Sequence, residues 1–267
     1  MRATALNGYV LHSRAYQEKR AIYQFFSHEH GVVHGVGVRG LPLFSPVWLL
    51  ATGNHALKSF SQPSLGFASE FVDAMALPAV PTGFGVIKGR VRYALLYMNE
   101  VLTRLLAAEN PCPMLWQTYH HKLAKLQSLD LLNLPQSDEF VATCVYLRAF
   151  ERVIFAELGV ALDFVTDGTG ALITADGVYR FVPQMGFLPD QAELINDAKL
   201  TTKVSRHRYS GDELMQMGAA LDADDEQAAV LPFLEQFNQL QRQLMDSLLD
   251  YKPLHSRTLW QQSLRYG

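Results

Sequence analysis

The hydrophobic period of this chain changes once, near Pro78, Pro81 and Gly83, and that change divides it into a strand-forming and a helix-forming part. Before it, short β-like runs alternate with turn residues. Gly8 to Arg14 carries Tyr9, Val10 and Leu11; Arg20 to Ser27 (RAIYQFFS) is rich in β-branched and aromatic residues; His28-Glu29-His30-Gly31 reads as a turn. Gly31 to Arg39 alternates, with Val33, Gly35 and Gly37 on one face and Val32, His34, Val36 and Val38 on the other. Val47 to Thr52, Ala56 to Ser61 and Phe67 to Asp73 complete five or six strands, which predicts a small closed β-barrel. An OB-fold and an SH3-like barrel both satisfy this pattern.

After the boundary, Leu95, Met98, Leu102, Leu105 and Leu106 recur at helical spacing within Arg92 to Ala108. Leu115 to Leu129 and Asp138 to Leu158 are two further amphipathic helices, the latter closed by Gly159. Residues of about 160–190 are glycine-rich with β-like pieces, and helix resumes from Ser210 to about Leu249. The expectation is an α+β chain with a barrel over 1–80 and an α-helical domain over 81–267, the latter carrying a small irregular insert at about 160–190.

The chain has a formal net charge of −3, but residues 1–135 hold 12 Lys and Arg against 7 Asp and Glu, and residues 136–267 hold 11 against 19. Attraction of a polyanion follows the local field, because salt screens charges beyond about 8 Å. A basic first half therefore permits a nucleic-acid partner. Two cysteines, Cys112 and Cys144, imply no disulfide framework and suit a reducing cytoplasm. No apolar run is long enough to span a membrane, and MRATALNGYVLHSR lacks the apolar stretch of a secretion signal.

No P-loop, G-x-S-x-G, H-E-x-x-H or dinucleotide fingerprint occurs, so no catalytic residue and no cofactor is expected. Gly83-Phe84-Gly85 reads as a linker. His28, His30 and His34 lack the cysteine or carboxylate that would complete a metal set and read as solvated turn residues. His120 and His121 diverge by about 100° on a helix, and with Lys122 and Lys125 they read as a polar, partly basic face. The insert contains no cysteine, so no structural zinc site is expected.

Single-strand binders combine aromatic platforms with cations along the backbone. Tyr16, Lys19, Arg20, Tyr23, Arg39, Trp48 and Lys58 are the residues of that type in the barrel. Trp48 lies in an apolar run and reads as buried, and of Phe25 and Phe26 one must face the core. Arg14, Lys19, Arg20 and Arg39 are the stronger candidates because unpaired cations seldom sit in a core, with Lys58 beside them. Arg148 and Arg152, four apart on a helix with Val145 and Phe155 near, suit an acidic, aromatic peptide tail; an intrahelical pair with Glu151 is the plainer alternative.

Four blocks in order resemble the bacterial RecO family. They are GYVLHSRAYQEKRAIYQFFSHEHGVVHGVGVRG (Gly8 to Gly40), YALLYMNEVLTRLL (Tyr93 to Leu106), LRAFERVIFAELGVALDF (Leu147 to Phe164) and YKPLHSRTLW (Tyr251 to Trp260). The second resembles the family's Y-x-N-E-L-x-x-R-L-L helix, through Tyr97, Asn99, Glu100 and Arg104, and the last its K-P-L-x-S-R-x-L ending. The resemblance implies an N-terminal OB-fold, a helical domain and a zinc-ribbon-like insert, here lacking cysteines as in the zinc-free branch. It implies a non-enzymatic cytoplasmic, nucleoid-associated mediator of DNA repair that binds single- and double-stranded DNA and anneals complementary strands. The implied partners are the C-terminal tail of the single-strand DNA-binding protein, RecR and, indirectly, RecA. It also implies a tail-receiving role for Arg148. A basic loop common in relatives is mostly missing, since Arg39-Gly40-Leu41-Pro42-Leu43 passes almost directly to Pro46-Val47-Trp48. An adaptor with little DNA affinity and an RNA-binding barrel are the alternative readings.

Overall fold

A computed structural model of the chain describes residues 3–78, 89–132, 134–190 and 207–266. Pro81 and Gly83-Phe84-Gly85 lie outside the described residues. The residues group into two units, Met1–Phe150 with Pro253–Gly267, and Glu151–Lys252.

The first unit contains the barrel. Strands β1 (Thr4–Gln17), β2 (Arg20–Ser27), β3 (Gly31–Val38), β4 (Val47–Thr52) and β5 (Leu57–Leu65) close in the order β1-β2-β3-β5-β4. All pairings are antiparallel except β3 with β5. The strand spacing led to a small closed barrel, and the one observed is OB-like, as the family resemblance implies. Closure rests on β1, whose residues Thr4–Gly8 pair with β4 while Gly8–Gln17 pair with β2. Leu6, Val10, Tyr23, Phe25, Val33, Val47, Leu49 and Phe60 fill the interior. Gly35 is required there, because any Cβ at that position would run into the Phe60 ring, and the Cβ of Phe60 lies only 3.2 Å from one built on Gly37.

Phe67 to Asp73 is not a sixth strand. It enters the short helix α1 (Ser69–Met75), which places Phe67 and Phe71 on one side, 5.4 Å apart and against Trp116. Helices α2 (Gly89–Leu105), α3 (Pro113–Leu131) and α4 (Gln136–Glu157) follow. They meet the barrel through polar links as well as apolar ones. The β1 register shifts between Val10 and His12, at the Val10 and Leu11 carbonyls. Asn99 of α2 donates to both, at 3.4 and 3.0 Å, and accepts from the Tyr119 hydroxyl at 2.7 Å. Trp116 of α3 donates to the Phe26 carbonyl. Both adjacent phenylalanines are thereby buried, Phe25 inside the barrel and Phe26 against Tyr119 outside it.

His120 belongs to this layer and not to a basic face. It is 1% exposed, lies parallel to Trp116, and is 2.6 Å from the Tyr9 hydroxyl through Nδ1 and 2.9 Å from the Pro78 carbonyl through Nε2. Burial lowers its pKa to about 4, helped by His121 and opposed by the Pro78 bond. The neutral ring satisfies both partners, accepting from the Tyr9 hydroxyl and donating to the Pro78 carbonyl. The unfolded chain binds this proton near pH 6.5, so the contribution is complete above that value and lost as pH falls through about 4. The loss amounts to about 3 kcal/mol. In urea titrations between pH 7 and 4, His120→Gln is expected to show a shallower decline than the parent chain, and identical slopes would contradict this account.

The C-terminal helix α8 (His255–Tyr266) completes the first unit by packing on α2. Glu100 caps it, accepting from the His255 and Ser256 amides at 2.9 and 2.8 Å and from the Ser256 hydroxyl at 2.7 Å. Arg104 bridges Glu100 at 2.8 Å and the Pro253 carbonyl at 3.0 Å. Partial burial opposes ionisation of Glu100, but these bonds and Arg104 outweigh it and hold its pKa below the usual range.

The second unit contains a three-stranded sheet of β6 (Val178–Val182), β7 (Gly186–Pro189) and β8 (Tyr209–Ser210), in the order β7-β6-β8. Helices α5 (Gly211–Leu221), α6 (Glu226–Ala229) and α7 (Leu234–Leu248) follow, α5 being capped by Ser210, which accepts from the Glu213 amide. The insert is organised by carboxylates. Asp163 accepts from the Val165 and Thr166 amides and the Thr166 hydroxyl, and Asp167 from Thr169 and the Ala171 amide. Gly159 ends α4 at φ 71°, with the Val160 amide returning to the Phe155 carbonyl.

Candidate nucleic-acid interface

OB-type barrels bind strands on the face of β2 and β3 and on the loops between β1 and β2 and between β4 and β5. Here the outward positions of β1, β2 and β3 form three cross-strand rows: His12, Gln24 and His34; Arg14, Ile22 and Val36; Gln17, Arg20 and Val38. Side chains directly opposite share a face. Inward positions Ala21, Tyr23 and Phe25 are core, so Arg20, Ile22 and Gln24 face out.

Lys19, Arg20 and Arg39 converge at one end of that face. The Arg39 amide donates to the Lys19 carbonyl at 3.1 Å, and its guanidinium donates to the Glu18 carbonyl at 3.0 Å. Arg20 reaches the Val36 carbonyl at 3.4 Å. All three are exposed, as is Arg14 on the adjacent row, and Tyr16 stands 55% exposed beside them. The Arg20 and Arg39 guanidiniums contact carbonyl oxygens, which leave their charge unneutralised by those partners. Lys58 is not part of the group. It lies on β5 alongside Gly35 and pairs with Glu109 at 2.8 Å, with 19% of its side chain exposed. Of the aromatic candidates, Tyr23 is core, its hydroxyl donating to the Val38 carbonyl, and Trp48 is half-buried.

The shortened connection after β3 is used as packing. Leu41 and Leu43 lie against the barrel core, Leu43 bridging to Val10, and the carbonyl of buried Phe44 accepts from Gln127. His28, read as a solvated turn residue, instead packs edge-on against Trp116 and Phe71, while His30 is exposed. Among the described residues, no group of three or more His, Cys, Asp or Glu is placed to hold a metal ion. No described helix is long and apolar enough to cross a membrane.

On α4, Arg148 is half-buried in the first unit. Arg152, in the second, pairs with Glu226 at 2.7 Å, a partner far along the chain that local spacing does not reveal. Neighbouring Glu151 is fully buried. Gln24, Thr103 and His12 carry no local sequence signal, because their significance depends on what α2 and α8 bring opposite them.

Comparison with known proteins agrees with this geometry. No family model matches the chain. It is 32% identical to the DNA repair protein RecO of Pseudoalteromonas atlantica, over 98% of this chain and 96% of that one. It is 30% identical to RecO of Pasteurella multocida, over 97% and 95% of the two chains, and 28% identical to RecO of Vibrio cholerae, over 96% and 92%. A closed five-stranded barrel, a helix joined to it through Asn99, and similarity across nearly the full length of such relatives lead to one assignment: this chain belongs to the RecO family of DNA repair proteins.

Proposed function

We propose that the chain is a recombination mediator that works by binding and performs no chemical catalysis. Single-stranded DNA lies across the β1–β2 turn and the β2–β3 face, its phosphates held by Arg14, Lys19, Arg20 and Arg39. The observation that carries this reading is the convergence of those exposed cations at one end of the barrel, around Tyr16. Lys58 joins only by exchanging Glu109 for a phosphate. The acidic C-terminal tail of the single-strand DNA-binding protein is received near Arg148, with Arg152 contributing if it releases Glu226. Such a protein anneals complementary strands, acts on double- as well as single-stranded DNA, and works with RecR to load RecA in the cytoplasm.

Fluorescence anisotropy across a salt series tests this, with a labelled single-stranded oligonucleotide and a labelled acidic peptide ending in an aromatic residue. Both probes are expected to bind, and Arg148→Ala is expected to weaken the peptide by about tenfold or more while leaving the oligonucleotide unchanged. Peptide binding without DNA binding would make the protein an adaptor. Equal affinity for RNA of the same sequence would make it a general single-strand binder.

A further inference from the structure

Between the outer face of β1–β2 and helices α2 and α8 lies a cavity of about 510 Å³, within the roughly 300–1,000 Å³ range of ligand sites. Its walls are largely apolar, from Leu11, Leu43, Leu96 and Leu259. Two of its lining residues carry atoms that break the usual rule for buried polar groups: Gln24 Oε1 and Thr103 Oγ1 are shielded from water and have no hydrogen-bond partner among the described residues. Each such orphan destabilises a fold, because its lost hydration is not replaced. Gln24 and His12, which line the cavity, stand in the row directly next to Ile22 and Arg14, at the far end of the stripe that begins with Arg20. Its rim carries His12, Arg104 and His255. The one carboxylate there, Glu100, is already met by Arg104 and by the His255 and Ser256 amides, so it does not bar an anionic backbone.

Resting on the reading of the barrel as a DNA interface, we infer that this cavity takes one unstacked base of the bound single strand. A base is a flat apolar body with donors and acceptors on its edge. The Gln24 amide offers a matching donor and acceptor whichever way it is turned, and the Thr103 hydroxyl supplies a third group. The leucines enclose the faces of the base, while the basic stripe and rim hold the phosphates on either side. An acidic peptide fits less well, because the interior holds two uncharged polar groups and the cations stand at the rim. The site is therefore a reading pocket at the end of a backbone track, and it gives the protein a means of telling a bare strand from a paired one, in which the base edge is occupied.

The test compares two strands of equal length, one carrying bases with a central 2-aminopurine and one fully abasic. Wild-type protein is expected to bind the first more tightly and to raise 2-aminopurine emission as that base leaves the stack. Thr103→Val and Gln24→Leu are each expected to weaken the base-bearing strand about fivefold, to leave the abasic strand unchanged, and to abolish the emission rise. Leu96→Trp, which fills the cavity, is expected to do the same. Thr103→Val should also melt at the same temperature as wild type or higher, since it removes an orphaned hydroxyl. If wild type binds both strands equally, or the variants leave the preference intact, the pocket inference fails and the interface stands. If wild type binds neither strand, the interface reading fails and takes the pocket with it. Loss of the acidic peptide, with strand preference kept, would reassign the cavity to a protein partner.

Discussion

Replacing Lys19, Arg20 and Arg39 together by glutamate is expected to lower affinity for single-stranded DNA by about a hundredfold at low salt, with the slope of log K against log salt falling by about 2. The three residues share one end of the barrel, and the Arg20 and Arg39 guanidiniums contact neutral carbonyl oxygens, so those partners do not cancel the charge removed. Each phosphate contact on a single strand contributes about 0.7 to the slope, and three lost contacts account for the change. Lys58→Glu is the informative control. Lys58 is already neutralised by Glu109, so its reversal should alter the slope far less. Circular dichroism of the triple variant guards against misfolding. A triple variant that keeps the wild-type slope would move the DNA off this face altogether.

Gly35→Val is expected to destabilise the first unit by about 3 kcal/mol or more, the upper range for an overpacked core. The β3 backbone at this position lies against the Phe60 ring, and β3 and β5 form the one parallel pairing within the barrel. A side chain there pushes β5 away or turns Phe60 out of the interior. Phe60→Leu should recover part of the loss when combined with Gly35→Val, giving a favourable coupling energy in a double-mutant cycle of urea midpoints. Strict additivity of the two substitutions would place the damage elsewhere.

What could be read from the chain alone follows from which interactions are local. β2 and β4 begin and end where their composition predicts, because their alternation is complete within each run. β1 extends beyond Gly8 to Arg14 at both ends, because it serves two neighbours and only the closed barrel requires that length. Phe67 to Asp73 looks like a strand by composition, yet Phe67 and Phe71 are spaced for one side of a helix, and Trp116 offers them a surface. His120 misleads for the same reason: Lys122 and Lys125 suggest a wet face, and the partners that bury it, Tyr9 and Pro78, come from distant segments. The exposed arginines of the barrel were legible because a cation without a partner has few places to go except the surface. The commitments of Lys58 and Arg152 were not, since Glu109 and Glu226 are brought to them only by the fold. Nor was the pocket, which is defined by what Gln24 and Thr103 lack.

The capping of α8 by Glu100 joins residues 155 positions apart, and every residue of the second unit is synthesised between them. A ribosome adds about 5–20 residues per second, so a nascent first unit waits on the order of ten seconds with the α8-binding side of α2 uncovered. During that interval the cavity lacks the wall that His255, Ser256 and Leu259 provide. The barrel cations, by contrast, are in place as soon as β3 has paired. A growing chain of this design sets out its barrel cations early and encloses the cavity only once residues 255–259 have been made.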